Sequence, residues 1–153
     1  MSTPLDEFNH IERRIVDIIV QYLRTALAPS HAGGVKAVMD YIETRSCSTH
    51  DAIQILSDIE DWMQAAKDDA ERALLSCNSS ITNRRTIIRL TRDDIAATPW
   101  WHLRLRRVLT HQLRYTERTL KDLEERYVIL NNTANEHAFV LTCAGDLRQI
   151  LNP

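Results

Sequence analysis

Residues 98–111, TPWWHLRLRRVLTH, stand between two long runs of helical hydrophobic spacing, and their reading decides the fold. Thr98 has a cap's chemistry and Pro99 suits a first helical turn, so a second long helix is expected to start here. It carries Leu105, Leu109, Leu113, Thr116, Leu120, Leu123, Tyr127 and Leu130 on one face. That helix spans about 33 residues, or about 50 Å at 1.5 Å per residue. Outside it, Glu117–Lys121, Lys121–Glu125 and Asp122–Arg126 are opposite charges four apart, the spacing of a solvated helix surface.

The run before it begins at a capping-box pair, Ser48 with Asp51. From there Ala52, Leu56, Ile59, Met63, Ala66, Ala70, Ala73 and Cys77 step by four and three. This is a heptad seam whose small residues allow close helix approach. The segment 77–98 breaks the pattern: CNSSITN reads as a turn-rich loop and TIIRLT as extended chain or a distorted turn. Thr91 with Asp94 then predicts a short helix RDDIAA.

Upstream, residues 5–28 place Phe8, Ile11, Ile15, Ile18, Ile19, Tyr22 and Leu23 at helical steps, with Thr3 as cap and Pro29 as stop. After the loop PSHAGG, residues 34–46 form a shorter amphipathic helix with Val35, Val38, Met39 and Ile42 inward. Downstream, Asn131-Asn132 weakens the long helix, and Thr133 with Glu136 is a further capping box. A last helix of about 17 residues is expected there; the alternative is one unbroken helix, because the heptad phase continues through Ala134. The expected fold is all-α, a single helical domain over 1–153. It is a bundle of about four main helices plus two short ones, with a long antiparallel helix pair. Three glycines and four prolines in 153 residues argue against the many turns of an all-β chain.

No run approaches 18 apolar residues, so no membrane is expected as a partner. The acidic MSTPLDEFNH lacks the pattern of a secretory signal. Cys47, Cys77 and Cys143 are odd in number, with no C-x-x-C, and read as buried reduced thiols in a cytoplasmic setting. Nucleotide-binding glycine motifs, G-x-S-x-G and H-E-x-x-H are absent, and no histidine pair has metal spacing. No cofactor, metal site or catalytic residue is therefore assigned.

Charge is distributed unevenly. Residues 1–83 carry 7 basic and 13 acidic side chains, residues 84–118 carry 9 and 3, and residues 119–153 carry 3 and 5. On a helix, Arg104, Arg107, His111, Arg114 and Arg118 form one stripe nearly opposite the leucine face, with Arg106 nearer its edge. Arg84, Arg85 and Arg89 extend the basic surface upstream. Arginine's planar fork suits phosphate and carboxylate alike. The competing expectation is that these arginines pair with the acidic helices of the same chain. Trp62, Trp100 and Trp101 suit a core or core edge. Trp101 falls near the leucine face, whereas Trp100 points toward the stripe, as an interface anchor or a stacking platform. Asp58, Glu60, Asp61, Asp68 and Asp69 form an acidic face with a phosphate-like charge.

Arg104 and Arg106, separated from His111 by six and four residues, give a spacing that resembles the R-x(4–6)-H element of the HEPN family of helical ribonucleases. The resemblance covers eight residues and implies RNA cleavage by an arginine–histidine pair from two protomers. It departs from the family's usual polar residue after the arginine, since Leu105 follows Arg104 and Arg107 follows Arg106. Arg45 and His50 match the same spacing. The expected function is a non-catalytic protein-interaction module: a small regulatory, adaptor or inhibitor protein acting by surface binding. Its partner is expected to be another protein. Nucleic acid bound by the arginine stripe is the alternative, a HEPN-like ribonuclease a more distant one, and homodimerisation through a heptad seam is a further route.

Overall fold

The computed structural model describes residues 4–45 and 48–153, with side chains from His10 onward. The Thr3 cap, the Phe8 side chain and Cys47 lie outside the described residues. Four helices follow in order: α1 Pro4–Thr25, α2 His31–Arg45, α3 Thr49–Ala97 and α4 Leu103–Leu151. No strand occurs among the described residues. The all-α fold with a long antiparallel helix pair is thus present.

The chain divides into two compact units. The first contains α1, α2, α3 as far as Asp69 and α4 from Thr133. Each helix contributes a stripe at three- and four-residue steps to one core: Ile15 and Ile19; Val35, Val38 and Ile42; Ile55, Leu56, Ile59 and Met63; Val140, Cys143, Ala144 and Leu147. Each fully buried leucine or isoleucine in such a core contributes about 1.5–3 kcal/mol. Arg24 on α1 pairs with Glu136 on α4 at 2.9 Å, and Arg148 on α4 reaches Glu60 on α3 at 3.1 Å.

α2 starts three residues earlier than its apolar pattern suggests. The Ser30 hydroxyl accepts the Gly33 amide at 3.2 Å, an N-cap that draws the two glycines into the first turn. They are glycines because of what packs on them. A Cβ on Gly33 would sit 2.0 Å from the Tyr22 hydroxyl, and one on Gly34 2.9 Å from Cys143 Sγ. Burial pushes the Cys143 thiol up to about 11, assisted by nearby Asp146, so it stays protonated and packs as a small apolar group.

The second unit, Ala70–Asn132, contains only the remaining stretches of α3 and α4. Here the sequence expectation needs correction. Residues 77–97 are continuous α-helix, not a loop, extended chain and short helix. Cys77, Ile81, Ile88 and Thr91 are buried at helical steps, so the seam continues and packing overrides weak propensity. The hydroxyls that suggested a loop are satisfied within the helix, Thr82 donating to Asn78 O at 3.0 Å and Thr86 to Thr82 O at 3.1 Å.

The break expected at Asn131-Asn132 is also absent, and α4 runs unbroken to Leu151. Ala134 is buried in phase with the helix, and Glu136, expected in a capping box, instead binds Arg24. The start of α4 is later than expected. His102 N donates to Pro99 O at 3.0 Å and Arg106 N to His102 O at 3.0 Å. Pro99–His102 is therefore a turn with the two tryptophans at its centre, and His102 rather than Thr98 precedes the helix.

Two tests follow from the first unit. Gly34→Val is expected to cost about 1–3 kcal/mol by overpacking against Cys143, read as a lowered thermal midpoint. Burial raises the Glu12 carboxyl above its ordinary 4.5, and the facing Asp58 carboxylate raises it further. The folded state therefore holds this proton more tightly than the unfolded chain does. The resulting stabilisation is full below 4.5 and lost as pH rises through the folded value. Urea midpoints should decline with pH just above 4.5, and Glu12→Gln should flatten that decline.

Candidate interaction surface at the helical hairpin

The second unit is a two-helix hairpin whose seam pairs Cys77, Ile81, Ile88 and Thr91 with Leu109, Leu113, Thr116, Leu120 and Leu123. Two ion pairs fix its antiparallel register. Arg85 Nη2 lies 3.3 Å from Glu124 Oε1, and Arg92 Nη2 lies 3.0 Å from Glu117 Oε1. The arginines are seven apart in one direction and the glutamates seven apart in the other. Glu117 is thereby turned across the hairpin to Arg92.

Arg106 is a structural residue. It occupies the first seam position of α4, and its Nη1 donates to Thr98 O at 3.0 Å. A guanidinium there satisfies a carbonyl just beyond the end of α3, where the helix leaves acceptors open and its dipole favours a cation.

The expected stripe is otherwise present and open. Arg104, Arg107, His111, Arg114 and Arg118 are all exposed, and none makes an ion pair or side-chain hydrogen bond among the described residues. Arg85 and Arg92 of this unit pair with glutamates of α4. Arg84 is half-buried, and Arg89 borders the groove between the two ion pairs with Ile88, Asp93 and Lys121. No acidic residue occurs between Asp94 and Glu117, so the end of the hairpin is uniformly cationic.

The structure corrects the tryptophan assignment. Trp100 is 75% exposed and Trp101 63%, their rings edge to face at 5.8 Å between centroids. Trp101 was expected near the leucine face by helical phase, but it precedes the helix, so that phase does not apply to it. Leu105, also expected in the core, is 48% exposed, because α3 has ended opposite it and Arg106 takes the seam. Trp101, His102, Leu103, Arg104, Leu105 and Val108 line one open surface depression. Trp62, on the other unit, is exposed as well.

Three of the five acidic-face residues have partners within the chain. Glu60 is turned to Arg148, while Asp58 and Asp68 accept from Gln54 at 3.1 Å and Gln64 at 3.0 Å on their own helix. Asp61 and Asp69 are exposed. Among the described residues no helix is long and apolar enough to cross a membrane, and no three histidine, cysteine or carboxylate side chains cluster as a metal site would require. Of the R-x(4–6)-H pairs, Arg104 and His111 are both exposed, Arg106 is held by Thr98, and Arg45 stacks over the Tyr41 ring at 5.4 Å.

Sequence reasoning placed Leu105 in the leucine seam and missed Val108 and Tyr115, which with Leu105 make a second apolar row on α4, interrupted by Gln112. The signal was its own three–four–three spacing, hidden beside the stronger leucine seam. No family model, no curated protein and no solved structure matches the chain.

The two classes of arginine should separate in thermal melts. Replacing Arg104, Arg107 and Arg114 together with glutamine should change stability by less than about 0.5 kcal/mol, as for open surface positions. Arg106→Ala should cost about 1 kcal/mol, the usual loss for a removed cap or hydrogen bond.

Proposed function

We propose that the protein is a non-catalytic helical interaction module, and that the closed end of the α3–α4 hairpin is its docking surface. One observation carries this reading. Trp100, Trp101, Leu103, Leu105 and Val108 form an apolar cluster beside Arg104 and Arg107, which are unpaired among the described residues. Apolar side chains clustered on a soluble surface and rimmed by charge mark contact sites rather than folding needs. Tryptophan and arginine are also the residue types that carry most binding energy at protein interfaces. The partner is another protein with complementary negative charge, and the module acts as an adaptor, regulator or inhibitor by occupying it. Aliphatic Leu103, Leu105 and Val108 favour a protein surface over nucleic acid, which would need the arginines and an aromatic platform but not these.

The test is a photo-crosslinking amino acid in place of Trp100, with a second chain carrying it at Gln64 as control, each expressed in the native cell. A discrete protein adduct at position 100, absent at position 64 and lost with Arg104→Glu and Arg107→Glu, is the expected result. Equal background at both positions would sink the reading. A labelled single-stranded oligonucleotide at low salt provides the opposing arm. Binding that falls steeply with salt, and is abolished by Arg107→Glu with Arg114→Glu, would transfer the function to nucleic acid.

A further inference from the structure

An antiparallel helix pair has two edges, and those of this hairpin differ in chemistry. At about 100° per residue, one edge presents Arg85, Arg89 and Arg92 of α3 beside Glu117, Lys121 and Glu124 of α4. It is bridged by the two interhelical ion pairs. The same phase puts Ile87 of α3, half-buried, and Asp94, exposed, on the other edge with Leu105, Val108, Gln112, Tyr115 and Thr119 of α4, while Ile95, seven residues from Ile88, lies in the seam. Val108 is 59% exposed and Tyr115 63%.

The α4 positions 105, 108, 112, 115 and 119 step by three, four, three and four. They keep heptad spacing beside the first seam, 106, 109, 113, 116 and 120, with apolar Leu105, Val108 and Tyr115 interrupted by Gln112. A helix with two adjacent seams is built to contact two helices, because each a/d row needs its own facing holes. Only one of those helices, α3, is supplied within this unit.

From this edge we infer that the hairpin receives a third helix from a partner protein, an acidic amphipathic one. The inference rests on the interaction-module reading and names what docks. Charge selects the occupant. The outer flank of the apolar edge is formed by Arg104, His111 and Arg118, unpaired among the described residues, and residues 84–118 carry 9 basic against 3 acidic side chains. Of those three, Glu117 is bound to Arg92, Asp93 borders the opposite groove, and Asp94 alone lies on this edge, one carboxylate against the three cationic positions of the flank. A second copy placed on the same edge would bring a second basic stretch against the first. A helix with leucine or isoleucine at its a and d positions and glutamate at e and g would cover Val108 and Tyr115 while neutralising the flank.

The probe is a synthetic peptide of about four heptads with that composition, whose glutamates keep it from pairing with itself. A peptide with lysine at the same positions serves as control. The full chain is expected to bind the acidic peptide with a gain in peptide helicity and not to bind the lysine peptide. Val108→Asp with Tyr115→Asp should weaken binding at least about tenfold, the loss expected for interface anchors. Both side chains are exposed, so the variant's thermal midpoint should stay unchanged and report loss of docking rather than loss of fold. Arg104→Glu with Arg118→Glu should weaken binding while leaving the apolar row intact.

No binding of the acidic peptide overturns the third helix. The wider reading survives that result if the crosslink at position 100 persists, so the two failures are distinguishable. Sedimentation of the free chain as a dimer that Val108→Asp with Tyr115→Asp dissociates would assign the edge to a second copy and overturn the inference. Oligonucleotide binding that needs Arg104 and Arg118 but not Val108 and Tyr115 would overturn it in favour of nucleic acid.

Discussion

Two packed helices bury one stripe each and leave two edges open to water. What covers those edges determines the character of each unit. Where α1 and α2 accompany the long helices, four stripes close on one core, and Ile19, Val38, Leu56, Ile59 and Val140 are fully enclosed. The hairpin has no such additional layer of its own. Its seam includes Thr91, Thr116 and Cys77 among the leucines and isoleucines, and Cys77 and Thr116 turn their polar atoms to backbone carbonyls, Leu123 O and Gln112 O. Such a seam stabilises a register more than it supplies a large hydrophobic driving force.

The exposed edges of the hairpin therefore bear on function. One is bridged by Arg85–Glu124 and Arg92–Glu117, pairs whose side chains are too solvated to add much stability. They do oppose slippage, because a shift of one residue would separate both pairs at once. The other edge has no charge pair among the described residues and exposes a row of Leu105, Val108 and Tyr115. Apolar exposure of this kind lowers solubility unless something offsets it. The arginines beside it, unpaired among the described residues, are that offset.

The periodicities of 52–77 and 109–130 were sufficient to identify two long helices and their buried faces, because a heptad seam is a local pattern. The helix through 77–97 was not legible. Asn78, Ser79 and Ser80 have turn composition, and Ile87 and Ile88 are β-branched. Only the partner helix, absent from any local window, makes helix the better state for them. The same limit explains Asn131-Asn132. For the surface, helical phase placed Arg104, Arg107, His111, Arg114 and Arg118 on the outer face of α4, since an outward position requires no knowledge of neighbours. Trp101 and Leu105 failed for the opposite reason. Burial needs something to be buried against, and α3 stops at Ala97.

Arginine is used in two ways in this chain, and the contrast limits what the free row can be for. Arg24, Arg85, Arg92, Arg106 and Arg148 each meet an acceptor of the same chain. The row from Arg104 to Arg118 meets none among the described residues, so its charge contributes nothing favourable to the folded state and some repulsion to the hairpin end. A cationic flank on an apolar edge has one consistent physical effect: it discourages association with an identical or basic surface and leaves an acidic one attractive. The apolar row supplies affinity without selectivity, and the arginines supply selectivity at a small cost in stability. Both are needed if the edge is to stay open in the free chain and close on only one class of partner.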